Sequence, residues 1–181
     1  PVDTVGLVVP DEFFAGFEGG ERIDDYRLRW EGEWTSKLFT FVELSRQDIR
    51  NFVTDGTTVA NGQVDVASAG TNIWLFDGVG LRVAGEVRRS RNVATGLQLP
   101  GVANEAASIA LGWVHPSRIV SSLSVSYSGA SFDDIDNLDS LGSFWTADAS
   151  VEWESPKKHW SVSAQLTDIF NEAPQLSRGF P

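Results

Sequence analysis

The 181-residue sequence predicts an all-β fold, an antiparallel up-and-down transmembrane β-barrel, seen here as a partial barrel of about nine strands forming a single domain over residues 1–181. Three observations predict it. Apolar and polar residues alternate with period two along most of the chain, and no helical period competes for more than a few residues. The connections between these segments are alternately long and short, and hairpins alone link them without crossovers. Aromatic residues sit at the ends of the apolar faces, where indole and phenol rings favour a headgroup boundary.

The first alternating segment is Asp11 to Glu18, with Phe13, Ala15 and Phe17 on one face, ended by Gly19-Gly20. The clearest is Asp25 to Thr35. It sets Tyr26, Leu28, Trp30, Gly32 and Trp34 against Asp25, Arg27, Arg29, Glu31 and Glu33, so one face is apolar and the other fully charged. After the short link Thr35-Ser36-Lys37 the faces of Leu38 to Gln47 are less distinct, and Phe39 and Phe41 must pack inside or on a neighbour. The polar run Arg46 to Asn51 predicts a strand that continues beyond the membrane. Asn51 to Asn61, with Asp55-Gly56 and Asn61-Gly62, reads as a long loop.

Gln63 to Phe76 returns as a strand, and Asp77-Gly78 fits a two-residue hairpin. Leu81, Val83, Gly85 and Val87 then oppose Arg82, Ala84, Glu86 and Arg88, repeating the apolar-against-charged pattern. Ser90 to Asn104 is a second long loop. Glu105 to Val114 is a strand, and His115-Pro116-Ser117-Arg118 is a short turn in which Pro cannot donate to a ladder. Leu123, Val125 and Tyr127 alternate with Ser122, Ser124, Ser126 and Ser128, giving a small polar face. The acidic segment Asp133 to Ser140 is a third long loop. Thr146 to Glu154 and Trp160 to Thr167 form the last hairpin about Ser155-Pro156-Lys157-Lys158, and Asn171 to Pro181 reads as a loop.

Composition narrows the classes. A formal net charge of -11 leaves no basic stripe to follow phosphates, which excludes a nucleic-acid binder. With no cysteine there are no disulfides, thiolate metal sites or Cys nucleophiles. No run of about eighteen apolar residues exists, so a helical span is excluded, whereas barrel strands alternate and give modest mean hydropathy. The chain opens on Pro1 without Met or a leader, and reads as a processed chain or a segment of a larger one.

The ending from Phe144-Trp145-Thr146-Ala147-Asp148 to Trp153, a Pro-Lys-Lys turn, and Ser161 to Leu166 closing in Thr167-Asp168-Ile169-Phe170-Asn171-Glu172 resembles the penultimate hairpin of TonB-dependent receptor-type barrels. His115-Pro116-Ser117 is similar to their periplasmic turns. The resemblance covers about the last third of the chain. It implies a bacterial outer-membrane location and transport of solutes or macromolecules across that membrane. The turns at Ser36, Asp77, His115 and Pro156 would then face the periplasm. It implies as partners outer-membrane lipid, periplasmic energy-coupling or repeat proteins, and another chain or segment completing the barrel. Two departures stand beside it: no C-terminal aromatic closes the last strand, and no plug or TonB box is identified in these residues. Plugless export barrels linked to tetratricopeptide repeats have similar ends and are the alternative within this class.

The lumen-lining candidates are Arg27, Arg29, Glu31, Glu33, Arg82, Glu86 and Arg88, which either select charged or sugar-like solutes or simply neutralise one another across adjacent strands. The girdle candidates are Tyr26, Trp30, Trp34, Trp113, Tyr127, Trp153 and Trp160. Asp133, Asp134, Asp136 and Asp139 lack the spacing of a calcium loop, having Leu138 where a ligand is expected. His115 and His159 make neither a zinc site nor a triad. Gly78-Val79-Gly80 is no phosphate cradle, and no serine sits in a Gly-x-Ser-x-Gly elbow. The expectation is therefore a non-enzyme without metal or cofactor. A second class, a soluble secreted β-sandwich binding module, predicts that Trp30, Leu81, Leu111, Val125 and Val162 meet in one core.

Overall fold

The computed structural model describes residues 22–54 and 57–170, with the side chains of 52–54 and 57 left aside. Eight strands form one antiparallel sheet in the order β1 (Arg22–Thr35), β2 (Leu38–Thr54), β3 (Thr57–Phe76), β4 (Val79–Asn92), β5 (Glu105–His115), β6 (Ile119–Ser128), β9 (Phe144–Glu154) and β10 (Ser161–Leu166). A two-residue ladder, β7 (Ser131–Phe132) with β8 (Ser140–Leu141), lies within the connection from β6 to β9. Among the described residues β1 and β10 are the open edges of the large sheet, the arrangement of a partial barrel. The expected strand at Asp11 to Glu18 and the loop from Asn171 fall outside the described residues.

Each strand pairs with its sequence neighbour, apart from the β7–β8 excursion, so register carries one face across the whole sheet. Leu28 opposes Leu44, Leu44 opposes Ala67, and Ala67 opposes Val87. Further along, Leu81, Leu111, Leu123, Ala149 and Leu166 form a single row. This face is bare: Leu28 is 70% exposed, and Trp30, Leu111 and Val162 are also exposed. The sandwich alternative is not favoured, because its five core residues lie on one face of a single sheet and, among the described residues, no second sheet covers them.

One predicted loop is a hairpin instead. Residues 51–54 and 57–61 continue β2 and β3, which stay paired from Arg50↔Asn61 to Thr54↔Thr57. The glycine after Asn61 is not a turn residue. A side chain at Gly62 would meet Leu99 Cδ1 at 3.1 Å, so its role is to let Leu99 pack against the strand. Ile49, Val59, Val64, Leu99 and Val102 form the buried cluster of the described residues, with Val66 and Ile135 against it. It lies at the loop end, on the face that also carries the charges, because Ile49 pairs with Gly62 and Val64 with Gln47.

The short links are as expected. Gly78 takes a left-handed conformation (φ 78°) in the β3–β4 turn, and its carbonyl accepts from Val114 N at 2.7 Å. Deeper in the sheet, Phe41 lies over Gly70, its cross-strand partner. A Cβ there would also sit 2.9 Å from the Val83 backbone oxygen. Gly70→Ala is accordingly expected to destabilise the sheet by about 1–3 kcal/mol, with Phe41→Leu in the same chain recovering part of the loss, as read from urea titrations of the vesicle-inserted protein.

Candidate functional site

The charges predicted to share a face do so, and four cross-strand rows organise them. Arg27 aligns with Ser45, Val66 and Arg88; Arg29 with Glu43, Ser68 and Glu86; Glu31 with Phe41 and Gly70; and Glu33 with Phe39, Asn72 and Arg82. Arg29 donates to Glu31 Oε1 at 2.7 Å and to Glu43 Oε2 at 3.1 Å. Arg27 bonds Asp25 at 2.9 Å and lies 3.4 Å from Glu43 Oε1. Arg88 bonds Glu86. The Arg29 guanidinium also sits 4.6 Å from the centre of the Phe41 ring, which accounts for that aromatic residue among the charges.

Glu43 is the junction of this network and is its best-covered carboxylate, at 14% side-chain exposure. The pattern of single strands did not single it out, since its importance comes from pairing with Arg29 across the β1–β2 ladder. A cleft lined in part by Arg27, Glu43, Gln47, Glu86, Arg88 and Val102 joins the network to the loop that carries Leu99. Beyond it, on β5, β6 and β9, the same face becomes small and hydroxylic: Ser108 opposes Ser126, and the Oγ atoms of Ser122 and Ser150 are 2.7 Å apart.

Two long connections fold over the loop end of this face and are tied together. The Asn137 side chain donates to Gln98 O at 2.9 Å and accepts from Gln98 N at 2.8 Å, and Gly101 N donates to Phe132 O at 2.8 Å. Within the acidic loop Asp134 accepts from the backbone amides of Asp136, Leu138 and Asp139 at 2.7–3.1 Å. Its carboxylate is thus committed to shaping the loop. Those amide bonds, chiefly from Leu138 and Asp139, hold its carboxyl below the usual carboxylate range. A depressed folded-state value means that the ordering is complete above the ordinary range and is lost as the pH falls through the lowered value. Protection of the 136–139 amides relative to their intrinsic exchange rate should hold at neutral pH and fall at acid pH below the ordinary carboxylate range, while Asp134→Asn should remove that acid transition.

Six of the seven aromatic candidates lie toward the ends of the bare apolar face, and Trp30 stands midway along β1 between Tyr26 and Trp34. Toward the short turns, Trp30 and Trp34 meet edge to face at 5.9 Å, Trp153 and Trp160 do so at 4.9 Å, and Trp113 lies 5.1 Å from the His115 ring. Trp34 Nε1 donates to Thr40 Oγ1 at 2.8 Å, so its polar tip is satisfied. Toward the loops stand Tyr26 and Tyr127, and Tyr127 is joined by Trp145 at 4.8 Å. Trp145 was not among the candidates, although it lies in the same alternation as Ala147 and Ala149. Eight positions separate Trp145 from Trp153, about 26 Å along a strand and on the order of 20 Å across a membrane at a usual barrel tilt.

No family model and no curated protein matches the sequence. Solved structures do match. The ferric yersiniabactin uptake receptor FyuA from Yersinia pestis superposes with a TM-score of 0.68 at 19% identity, over 87% of this chain and 26% of the receptor. The copper transporter OprC gives 0.67 at 12% identity over 89% and 28%, and the siderophore receptor PiuA from Acinetobacter baumannii gives 0.63 at 14% over 83% and 24%. The fold is therefore that of the β-barrel wall of these solved receptors. The chain spans about a quarter of the length of these solved receptors. An open eight-stranded sheet with consecutive pairing has the form of a segment of such a barrel wall, in agreement with the fold that the resemblance implies.

Proposed function

We propose that this chain is part of an outer-membrane β-barrel that imports solutes in the manner of TonB-dependent receptors. The observation that carries the reading is the pairing of a bare, aromatic-bordered apolar face with a charged face on one sheet whose fold matches uptake receptors. In this reading the apolar face meets outer-membrane lipid, and Tyr26, Trp30, Trp34, Trp113, Tyr127, Trp153 and Trp160 form its girdles. Arg27, Arg29, Glu31, Glu33, Arg82, Glu86 and Arg88 line the lumen, the short turns face the periplasm, and the long loops face outward. Strands from the rest of the protein, or from another chain, close the barrel. A periplasmic energy-coupling protein supplies the work. The charged wall binds and conducts without covalent chemistry, so the protein is not an enzyme.

The matched receptors take up a ferric siderophore or copper, so these are the first ligands to try. Deleting the whole gene from the source bacterium should abolish energy-dependent uptake of one such metal complex. Reintroducing the protein should restore uptake, and a protonophore should block it. Recovery of the full-length protein from the soluble fraction without detergent would overturn the membrane reading. Outer-membrane recovery with metal-complex uptake unaffected by deletion would overturn the import reading for those ligands.

A further inference from the structure

The cations of this chain are unevenly placed. All three lysines, Lys37, Lys157 and Lys158, and both histidines, His115 and His159, lie in the short turns. Two of these turns form one surface. Arg118 donates through Nη1 to Ser155 O at 2.9 Å, and Glu154 N donates to Arg118 O at 3.1 Å, bringing the β5–β6 turn against the β9–β10 turn. Ser155 is buried and organises the second turn, its Oγ accepting from His159 N at 3.1 Å and Trp160 N at 3.3 Å. Arg118, Lys157, Lys158 and His159 are exposed on this surface, beside the Trp153–Trp160 pair.

At the loop end Arg22 pairs with Asp24 at 2.9 Å and Arg46 with Asp48 at 3.3 Å, while Arg91 bonds Gln63. Among the described residues no ion pair reaches Lys37, Arg118, Lys157 or Lys158, and Glu154 is the acid nearest the doubled turn in sequence. On a chain of net charge -11 this is a local concentration of unneutralised positive charge. It stands directly beyond an indole pair of the kind that seats at the headgroup boundary.

Resting on the membrane reading above, we infer that Arg118, Lys157 and Lys158, with Trp153 and Trp160 beneath them, form a docking surface for the phosphate headgroup of an anionic glycerophospholipid in the periplasmic leaflet. The phosphodiester meets the cations while the indoles cover the upper acyl chain. The remaining short turns do not duplicate the surface: Lys37 stands alone in its turn, and the β3–β4 turn carries Asp77.

The test uses the full-length protein in vesicles containing brominated phosphatidylglycerol or brominated phosphatidylcholine, with tryptophan fluorescence as readout. Phosphatidylglycerol should quench the excess, lipid-specific component preferentially, by on the order of fivefold in relative association per cation engaged, and salt should weaken the preference. Lys157→Gln with Lys158→Gln should remove most of the preference and leave quenching by phosphatidylcholine unchanged. These side chains are exposed, and the Lys158 N to Ser155 O bond that shapes the turn is backbone only, so the variant retains its fold. An equal preference in variant and parent would overturn the headgroup surface while leaving the barrel intact. Quenching by neither lipid would overturn the membrane reading itself.

Discussion

Leu99→Ala will release the loops from the charged face. Leu99 is 1% exposed and fills the space above Gly62 between Ile49, Val59 and Val64. Truncating a buried leucine costs about 2–5 kcal/mol when the surroundings cannot collapse into the gap. Here the gap lies between a rigid β2–β3 ladder and a connection held by discrete hydrogen bonds, so collapse is limited and a loss in the upper half of that range is expected. The cost falls on local docking, because the strands keep their own ladders. Hydrogen exchange should therefore accelerate at Gln98 to Asn104 and, through the Asn137 and Phe132 bonds, in the 130–139 loop, with β5 and β6 amides unchanged. Unchanged exchange in both loops would show that the hydrogen bonds alone hold them.

Leu123→Arg will be the most damaging change on the apolar face. Leu123 pairs with Leu111 on one side and Ala149 on the other, midway between the aromatic ends. An arginine at the bilayer midplane of a barrel costs about 2–4 kcal/mol, whereas on the lumen side it meets water. Ser124→Arg, one residue away and on the opposite face, is the control, and it should cost well under half as much. Equilibrium folding of the two variants into vesicles gives the comparison. Equal losses would mean that the row through Leu81, Leu111 and Leu123 does not face lipid.

Much of this was legible because a strand has a period of two and the sheet has one apolar side. Tyr26, Leu28 and Trp30 alternate with Arg27, Arg29 and Glu31 so cleanly that face and register follow from composition. The four short turns carry their own chemistry, Gly78 and Pro116 among it. Residues 51–54 and 57–61 were misread because Asn61-Gly62 is a turn dipeptide by local rules. The decisive contact at Gly62 is with Leu99, far along the chain, and no local pattern reports it. Glu43 escaped for the same reason, since it matters through two arginines of the neighbouring strand. The tie between the loops rests on Asn137 and Gln98, which nothing in their own segments marks.

The unequal strand lengths give the wall a skyline. β3 runs for 20 residues and β5 for 11, about 66 Å against 36 Å at the usual rise. Among the described residues the β3–β4 ladder ends at Gly62↔Asn92, whereas β3 stays paired with β2 as far as Thr54↔Thr57. The β2–β3 ladder is thus a parapet above β4. In the import reading it borders the entrance to the charged face on one side and leaves that entrance lower on the β4 side.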